Sequence, residues 1–441
     1  MKLIAVASLI VLVQLAPRPA DVPFQIKMID GGASETAAVA DLNKDGRLDV
    51  ISGEYWYEAP GWTKHRFREV GFSGNYIDSF SVLPVDVDGD GYVDIADVSW
   101  FARKVAWWKN PGRAGGAAMW KEAPINACCN VEFAVLADMD NDGKLQEIVA
   151  QENGTGQSWY EAKGGAWIKH VVSDRTYGHG IGYGDVNKDG RNDILTPRGW
   201  LEAPADPRAA GNWTFHNDWE AINVAIPPPG RQAAAPPPPP GPSGAASPQT
   251  PPPVLELGFM HVVDVDGDGR NDVVAAAGHN YGVFWFQHPE SGPWTRRTID
   301  NAWSQGHAST LVDLNGDGQP DFVTGKRFMA HNGTDPGEGE PLGLYWYEFR
   351  TRPGTPGTSG TPGTSGTPGT PPGRAGGRGG AGGGSVEWIR HVISYGGQMG
   401  AGMQIVVSDI DADGDLDIVC GGKSGLFLAE NMTKMPKRPA R

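Results

Sequence analysis

The pattern Asp-x-Asp/Asn-x-Asp-Gly-x-x-Asp recurs seven times along the 441 residues, once with a departure, and its spacing suits a cation. Calcium is a hard ion that takes six to eight oxygen ligands at ~2.3–2.6 Å. In a tight loop, side chains at positions one, three and five point inward and position seven offers its carbonyl. Glycine at position six permits the sharp bend, and an acid at position nine closes the shell. The first four copies supply Asp41, Asn43, Asp45 and Asp49; Asp86, Asp88, Asp90 and Asp94; Asp138, Asp140 and Asp142; and Asp185, Asn187, Asp189 and Asp193. The last three supply Asp264, Asp266, Asp268 and Asp272; Asp313, Asn315, Asp317 and Asp321; and Asp409, Asp411, Asp413 and Asp417. The third copy carries Gln146 at position nine, and Glu147 is one residue out of register, so this loop is expected to bind weakly or not at all. A full set of divalent ions would nearly cancel the formal net charge of −15. Metal-free Asp/Gly turns are the other reading of the motif, but their packed carboxylates would repel one another.

The elements that carry these loops read as strands. β-prone runs precede them, such as Val131 to Val135, and apolar runs follow, such as Val50-Ile51 and Val273-Val274. Next comes an aromatic strand (Tyr55-Trp56-Tyr57, Trp159-Tyr160, Phe284-Trp285-Phe286, Tyr345-Trp346-Tyr347), and then a strand led by tryptophan (Trp62, Trp120, Trp167, Trp213, Trp294, Trp388). Strand, loop, strand, aromatic strand and Trp strand make a four-stranded propeller blade. The expected fold is therefore an all-β, seven-bladed propeller. The seventh unit lacks its Trp strand, and Phe24 to Ile29 is the spare strand that closes the last blade. His65, His170, His216 and His391 share the outer strand and are expected to be structural.

Residues 1–20, with Lys2 and an apolar run from Leu3 to Leu15, read as a signal peptide, so the expected location is secreted or periplasmic. Residues 21–434 read as one propeller interrupted by low-complexity inserts at 227–253 and 351–385, and 435–441 as a basic tail. No later segment is apolar enough to span a membrane, and the acidic balance argues against nucleic acid as a partner. Cys128 and Cys129 either form a vicinal bridge or remain thiols.

Strand geometry separates the loops from a second set of residues. At ~3.3 Å per residue, side chains five or six positions from a loop lie roughly 17–20 Å away, on the opposite face around the channel. Glu35, Glu132, His179 and His307 stand six positions before their loops, and Arg198, His279, Lys326, Arg327, His331 and Lys423 follow second strands. His179 and His307 are expected as an acid/base pair and Arg198 and Lys326 as oxyanion holders; His279 is a third catalytic candidate or a ligand for one further divalent metal. Tyr177, Arg327, His331, Lys423, Glu35 and Glu132 are the expected substrate contacts. The matching ligand is a carbohydrate or another small polar molecule.

The seven loops resemble FG-GAP/VCBS repeats, the calcium-loop repeats of integrin α propellers. A finer resemblance, carried by Gly178-His179-Gly180, Asp185 to Gly190, Arg198-Gly-Trp200-Leu-Glu-Ala-Pro204 and Gly306-His307, is to the propeller domain of aldos-2-ulose dehydratase-like proteins. That resemblance implies water elimination from a keto-sugar, which makes the protein a carbon–oxygen lyase. The repeat resemblance alone is equally compatible with a non-catalytic adhesion or carbohydrate-binding module that has cell-surface or protein partners.

Overall fold

A computed structural model describes residues 21–113, 118–209, 211–223, 254–352 and 385–434. The expected leader, the 227–253 insert, the basic tail and nearly all of 351–385 lie outside the described residues. The described chain is all-β and contains no helix. Its strands form a propeller arrangement of antiparallel sheets, with a short ribbon, Phe72–Ser73 paired with Tyr76–Ile77, beside them.

Each repeat folds as the spacing requires. In the first, Ala38–Ala40, Asp49–Ser52, Tyr55–Glu58 and Thr63–Arg66 pair in order. The last sheet takes its fourth strand from the N-terminal side: Phe24–Asp30 pairs with Gly425–Asn431, beginning at Phe24↔Asn431. This is the expected closing strand.

Seven separate sheets are not what forms. Five four-stranded sheets stand alone, and the strands of the fourth and fifth repeats make one sheet of eight. They join through a parallel pairing of Ile181–Gly184 with Leu257–Val263, with Gly182 opposite Met260. Glycine allows this approach, because a Cβ at Gly182 would lie 2.2 Å from the Met260 carbonyl oxygen. Inner-strand residues of all seven repeats, among them Val39, Leu83, Val135, Tyr183, His261, Thr310 and Val406, line one central channel of about 560 Å³.

Between sheets the core is aromatic, with Phe133, Trp159, Tyr160, Phe284, Phe286, Trp346 and Tyr347 buried. The outer-strand histidines are structural in the expected way. His65, His170, His216 and His391 stack on Trp56, Trp159, Trp200 and Trp346 at centroid distances of 4.2, 4.1, 4.1 and 3.8 Å. Three of them also bond a strand-end glutamate, Glu58, Glu161 or Glu202, at 2.9, 3.1 and 2.7 Å. Cys128 and Cys129 are bridged, and Cys420 is a buried thiol.

Candidate functional site

The aspartate loops occupy the tip between first and second strands. Ala40 faces Asp49, Val85 faces Asp94 and Gly184 faces Asp193 across the ladder. In the first loop Asp41 accepts the backbone N–H groups of Asp45 and Gly46, at 3.0 and 2.9 Å, which holds the turn. The ninth-position Asp49 is buried and accepts from the backbone of Leu42 at 3.1 Å and Ala59 at 3.0 Å, bracing the hairpin.

The third loop differs from the motif in register. Ala137 faces Glu147, not Gln146, and Glu147 accepts the Met139 N–H at 3.0 Å, the bond Asp49 makes to Leu42. The loop is one residue longer, and the longer side chain restores the position. Asp138, Asp140 and Glu147 bring their oxygens within 4.8 Å of one another, as do Asp86, Asp88 and Asp90. Burial and neighbouring loop acids push the second-strand carboxyls up, Asp49 to about 6 and Glu147 to about 7. In the last loop Asp409 Oδ1, Asp413 Oδ2 and Asp415 Oδ1 are buried without a hydrogen-bond partner among the described residues. A site made only of such oxygens fits a hard divalent cation, as the spacing implied.

At the opposite end of the strands, a cavity of about 330 Å³ opens among Glu132, His179, His279, Arg327 and His331. The sequence placed these side chains together, but aromatic walls complete the pocket. Tyr76 and Phe80 come from the segment around the two-stranded ribbon, and Trp100 and Phe101 from the next turn; Asn153 and Glu256 lie at the rim.

A continuous polar network links the cavity's charged lining to buried side chains behind it. Lys423 Nζ lies 2.6 Å from Glu35, and the Arg327 guanidinium donates to Glu35 at 3.0 Å and to Glu132 at 2.8 Å. Glu132 Oε2 lies 2.9 Å from His179 Nε2, which is 2.8 Å from His279 Nε2. His279 Nδ1 bonds Asp335 at 2.7 Å, and Asp335 also holds His331 at 3.0 Å while the two imidazoles stack at 4.1 Å. Burial works to raise the Glu132 carboxyl, but His179 and Arg327 outweigh it and hold that carboxyl well below its usual range. Burial opposes charge on His179 too, yet Glu132 raises it, whereas burial and His179 lower His279. His307 is wholly buried behind the pair, with burial and Arg327 pushing it far down.

Six expected roles change. Glu35 and Lys423, expected as substrate contacts, pair with each other and do not line the cavity. His307 lies close to His179, at 5.5 Å between ring centroids, but it does not line the cavity and so cannot be one half of an exposed acid/base pair. Arg198 turns away to Glu220. Lys326 is buried and donates to Ser304 at 2.9 Å and to the Gly337 carbonyl at 2.6 Å, and burial lowers it to about 8. Tyr177 bonds Ser173 at 2.8 Å inside the core. Arg327 is the cation that meets the cavity instead.

Asp335 was missed. It lies in 326–342, which joins two strands that in the first repeat are joined by Gly53 and Glu54 alone. That length is the signal that was available. The segment folds over the mouth: Glu338 accepts the backbone N–H groups of His331 and Gly333, Tyr76 donates to the Ala330 carbonyl, and Lys326 pins Gly337.

The molecule is thus a β-propeller with acidic hairpin loops at one end and a histidine-bearing cavity at the other. Residues 264–324 match the FG-GAP-like repeat family, so the chain carries that repeat, and no curated protein matches it. Among solved structures, an Agrocybe aegerita lectin that recognises non-reducing terminal N-acetylglucosamine is similar at 16% identity and TM-score 0.42, over 72% of this chain and 77% of that one. Rhamnogalacturonan lyase YesW is similar at 12% identity and TM-score 0.38, over 69% and 58%. The BBS1N propeller in complex with ARL6DN is similar at 10% identity and TM-score 0.47, over 96% and 98%. No helix among the described residues is long and apolar enough to cross a membrane.

Proposed function

We propose that this is a secreted, calcium-braced propeller of seven blades whose channel-mouth cavity binds a carbohydrate-like ligand and eliminates water from a keto-sugar. Blades four and five share the parallel inner-strand pairing, and the channel's lining by all seven repeats supports that count. The cation's chemistry would be neutralisation: Asp and Glu oxygens at each hairpin hold it, and the two inner strands are thereby clamped.

One observation carries the functional reading: charged and aromatic side chains converge on a single ligand-sized cavity. Tyr76, Trp100 and Phe101 offer faces for sugar C–H groups, while Asn153, Glu256 and Arg327 offer hydroxyl partners. Elimination needs a base for the proton beside the carbonyl, an electropositive group for the enolate oxygen, and an acid for the departing hydroxide. His331 lines the cavity, oriented by Asp335, and takes the base role, and its imidazolium then returns the proton to the departing hydroxide; Arg327 and the His179–His279 pair face the developing enolate charge.

The test is incubation with keto-sugars such as anhydrofructose, following enone absorbance, with calorimetry on the same panel. Turnover that falls at least ~100-fold in His331→Ala, with binding retained, is the expected result. Binding without any enone would reduce the protein to a carbohydrate-binding module, and absence of both would remove the proposal.

A further inference from the structure

We infer that His179, His279 and His307 form a three-histidine site for a late first-row divalent metal of the zinc class, open to the cavity. One nitrogen from each ring lies within 4.8 Å of the other two. Three imidazole nitrogens around a tetrahedral ion at ~2.0–2.1 Å stand roughly 3.3 Å apart, so small ring rotations reach that geometry.

Hydrogen bonding points the same way. His179 Nδ1 lies 3.1 Å from the Leu257 carbonyl, which can only accept, so this nitrogen carries the proton. His279 Nδ1 faces the Asp335 carboxylate at 2.7 Å and carries its proton for the same reason. In the neutral rings both Nε2 atoms then present lone pairs, yet they face each other at 2.8 Å. A positive charge has to lie between them, either a proton shared with Glu132 or a metal ion.

His307 separates these two cases. Its ring is 0% exposed, and neither nitrogen has a partner among the described residues. It meets His279 edge-on at 4.6 Å between centroids. A shared proton on His179 leaves His307 desolvated with no partner to compensate it, whereas an ion at the centre of the three rings uses it. Asp335 on His279 and the Leu257 carbonyl on His179 are the outer partners that fix ligating imidazoles. Neutral imidazoles suit zinc, copper, nickel or iron and not calcium, so this site and the acidic loops would select different ions. His307 lies behind the ion and the cavity in front, so one coordination position faces a ligand. Glu132 Oε2 borders that position.

The use of the ion as the electropositive group rests on the cavity reading above, but its binding is measured without substrate. Full-length protein, stripped with chelator and returned to excess calcium, is titrated with Co²⁺ and Zn²⁺. The expected result is one equivalent bound per chain, with the visible absorption of a low-symmetry cobalt site that Zn²⁺ abolishes. His307→Ala should lose the absorption while keeping the wild-type circular dichroism. Asp335→Asn keeps all three ligands and should weaken affinity ~10–100-fold. Asp45→Ala, in a loop at the other end of the strands, should leave it intact. Absence of stoichiometric cobalt binding by the folded wild type, or an identical spectrum in His307→Ala, overturns the site and leaves the shared proton. Cobalt binding without keto-sugar turnover would retain the metal and reject the lyase.

Discussion

Replacing Arg327 with methionine should cost the fold ~3–5 kcal/mol, the range for removing one partner of a buried ion pair. Arg327 donates to Glu35 at 3.0 Å and to Glu132 at 2.8 Å, and all three side chains are buried. Each contact taken alone is worth about 4 kcal/mol at an effective dielectric of 20. The loss stays below their sum because Glu35 keeps Lys423, 2.6 Å away, and Glu132 keeps His179, 2.9 Å away. Urea unfolding in excess calcium measures the difference. Converting Glu132 alone to glutamine in the same chain should restore part of it, because one carboxylate left without Arg327 is then gone while Glu35 stays paired with Lys423. The sign of the pH effect follows as well. With Arg327 gone, less opposes the burial that raises the Glu132 carboxyl, which then takes up a proton in the folded state at a pH where the unfolded chain is still ionised, so the gap to wild type should narrow as pH falls. A loss below ~1 kcal/mol, or a gap that is flat with pH, would refute the idea that this arginine neutralises a buried network.

Calcium and pH should be linked through the hairpin acids. Asp49 and Asp417 are raised to about 6, and Asp193, Asp272 and Asp321 to about 7. In chelator the fold therefore binds more protons than the unfolded chain, and its melting temperature should fall as pH rises through that window; calcium should flatten the slope, and parallel slopes would count against the loops as cation sites. In the third loop, Glu147→Ala should cost ~1–3 kcal/mol and Gln146→Ala almost nothing, since only Glu147 braces Met139; the reverse order in urea unfolding would restore the expectation from the motif. His216→Ala should lose ~1 kcal/mol with its Trp200 stack and Glu202 bond, and leave ligand and cobalt binding unchanged by calorimetry.

Period and spacing made most of the fold legible. Strands of one length on either side of a fixed loop force residues six positions before the loop to the other end, and Glu35, Glu132, His179 and His307 do gather there with Arg327 and His279. The failures arose where a side chain's own rotamer or a non-repeating segment decides. Arg198 is long enough to choose Glu220, and Lys326 turns beneath 326–342. Tyr76 and Asp335 come from connections that no other repeat shares, so the repeat could not reveal them, whereas Phe80 stands six positions before its loop, in the register of Glu35 and His179. Glu147 shows the inverse case. A one-residue change in loop length, offset by one methylene group, is invisible to a fixed-register motif and plain in the ladder. The merged fourth and fifth sheets follow from glycines at Gly180 and Gly182, whose backbone approach no hydrophobic pattern encodes.

The pairing of Phe24–Asp30 with Gly425–Asn431 sets the order in which the molecule can be finished. As the polypeptide emerges from the ribosome, the earlier half of that ladder has no mate until nearly every other sheet exists, so ring completion is a late, long-range event. A rearranged gene that begins within residues 224–253 and joins the old ends by a short linker would turn this pairing into a local hairpin. Its refolding should then be faster than that of the parent, at similar equilibrium stability.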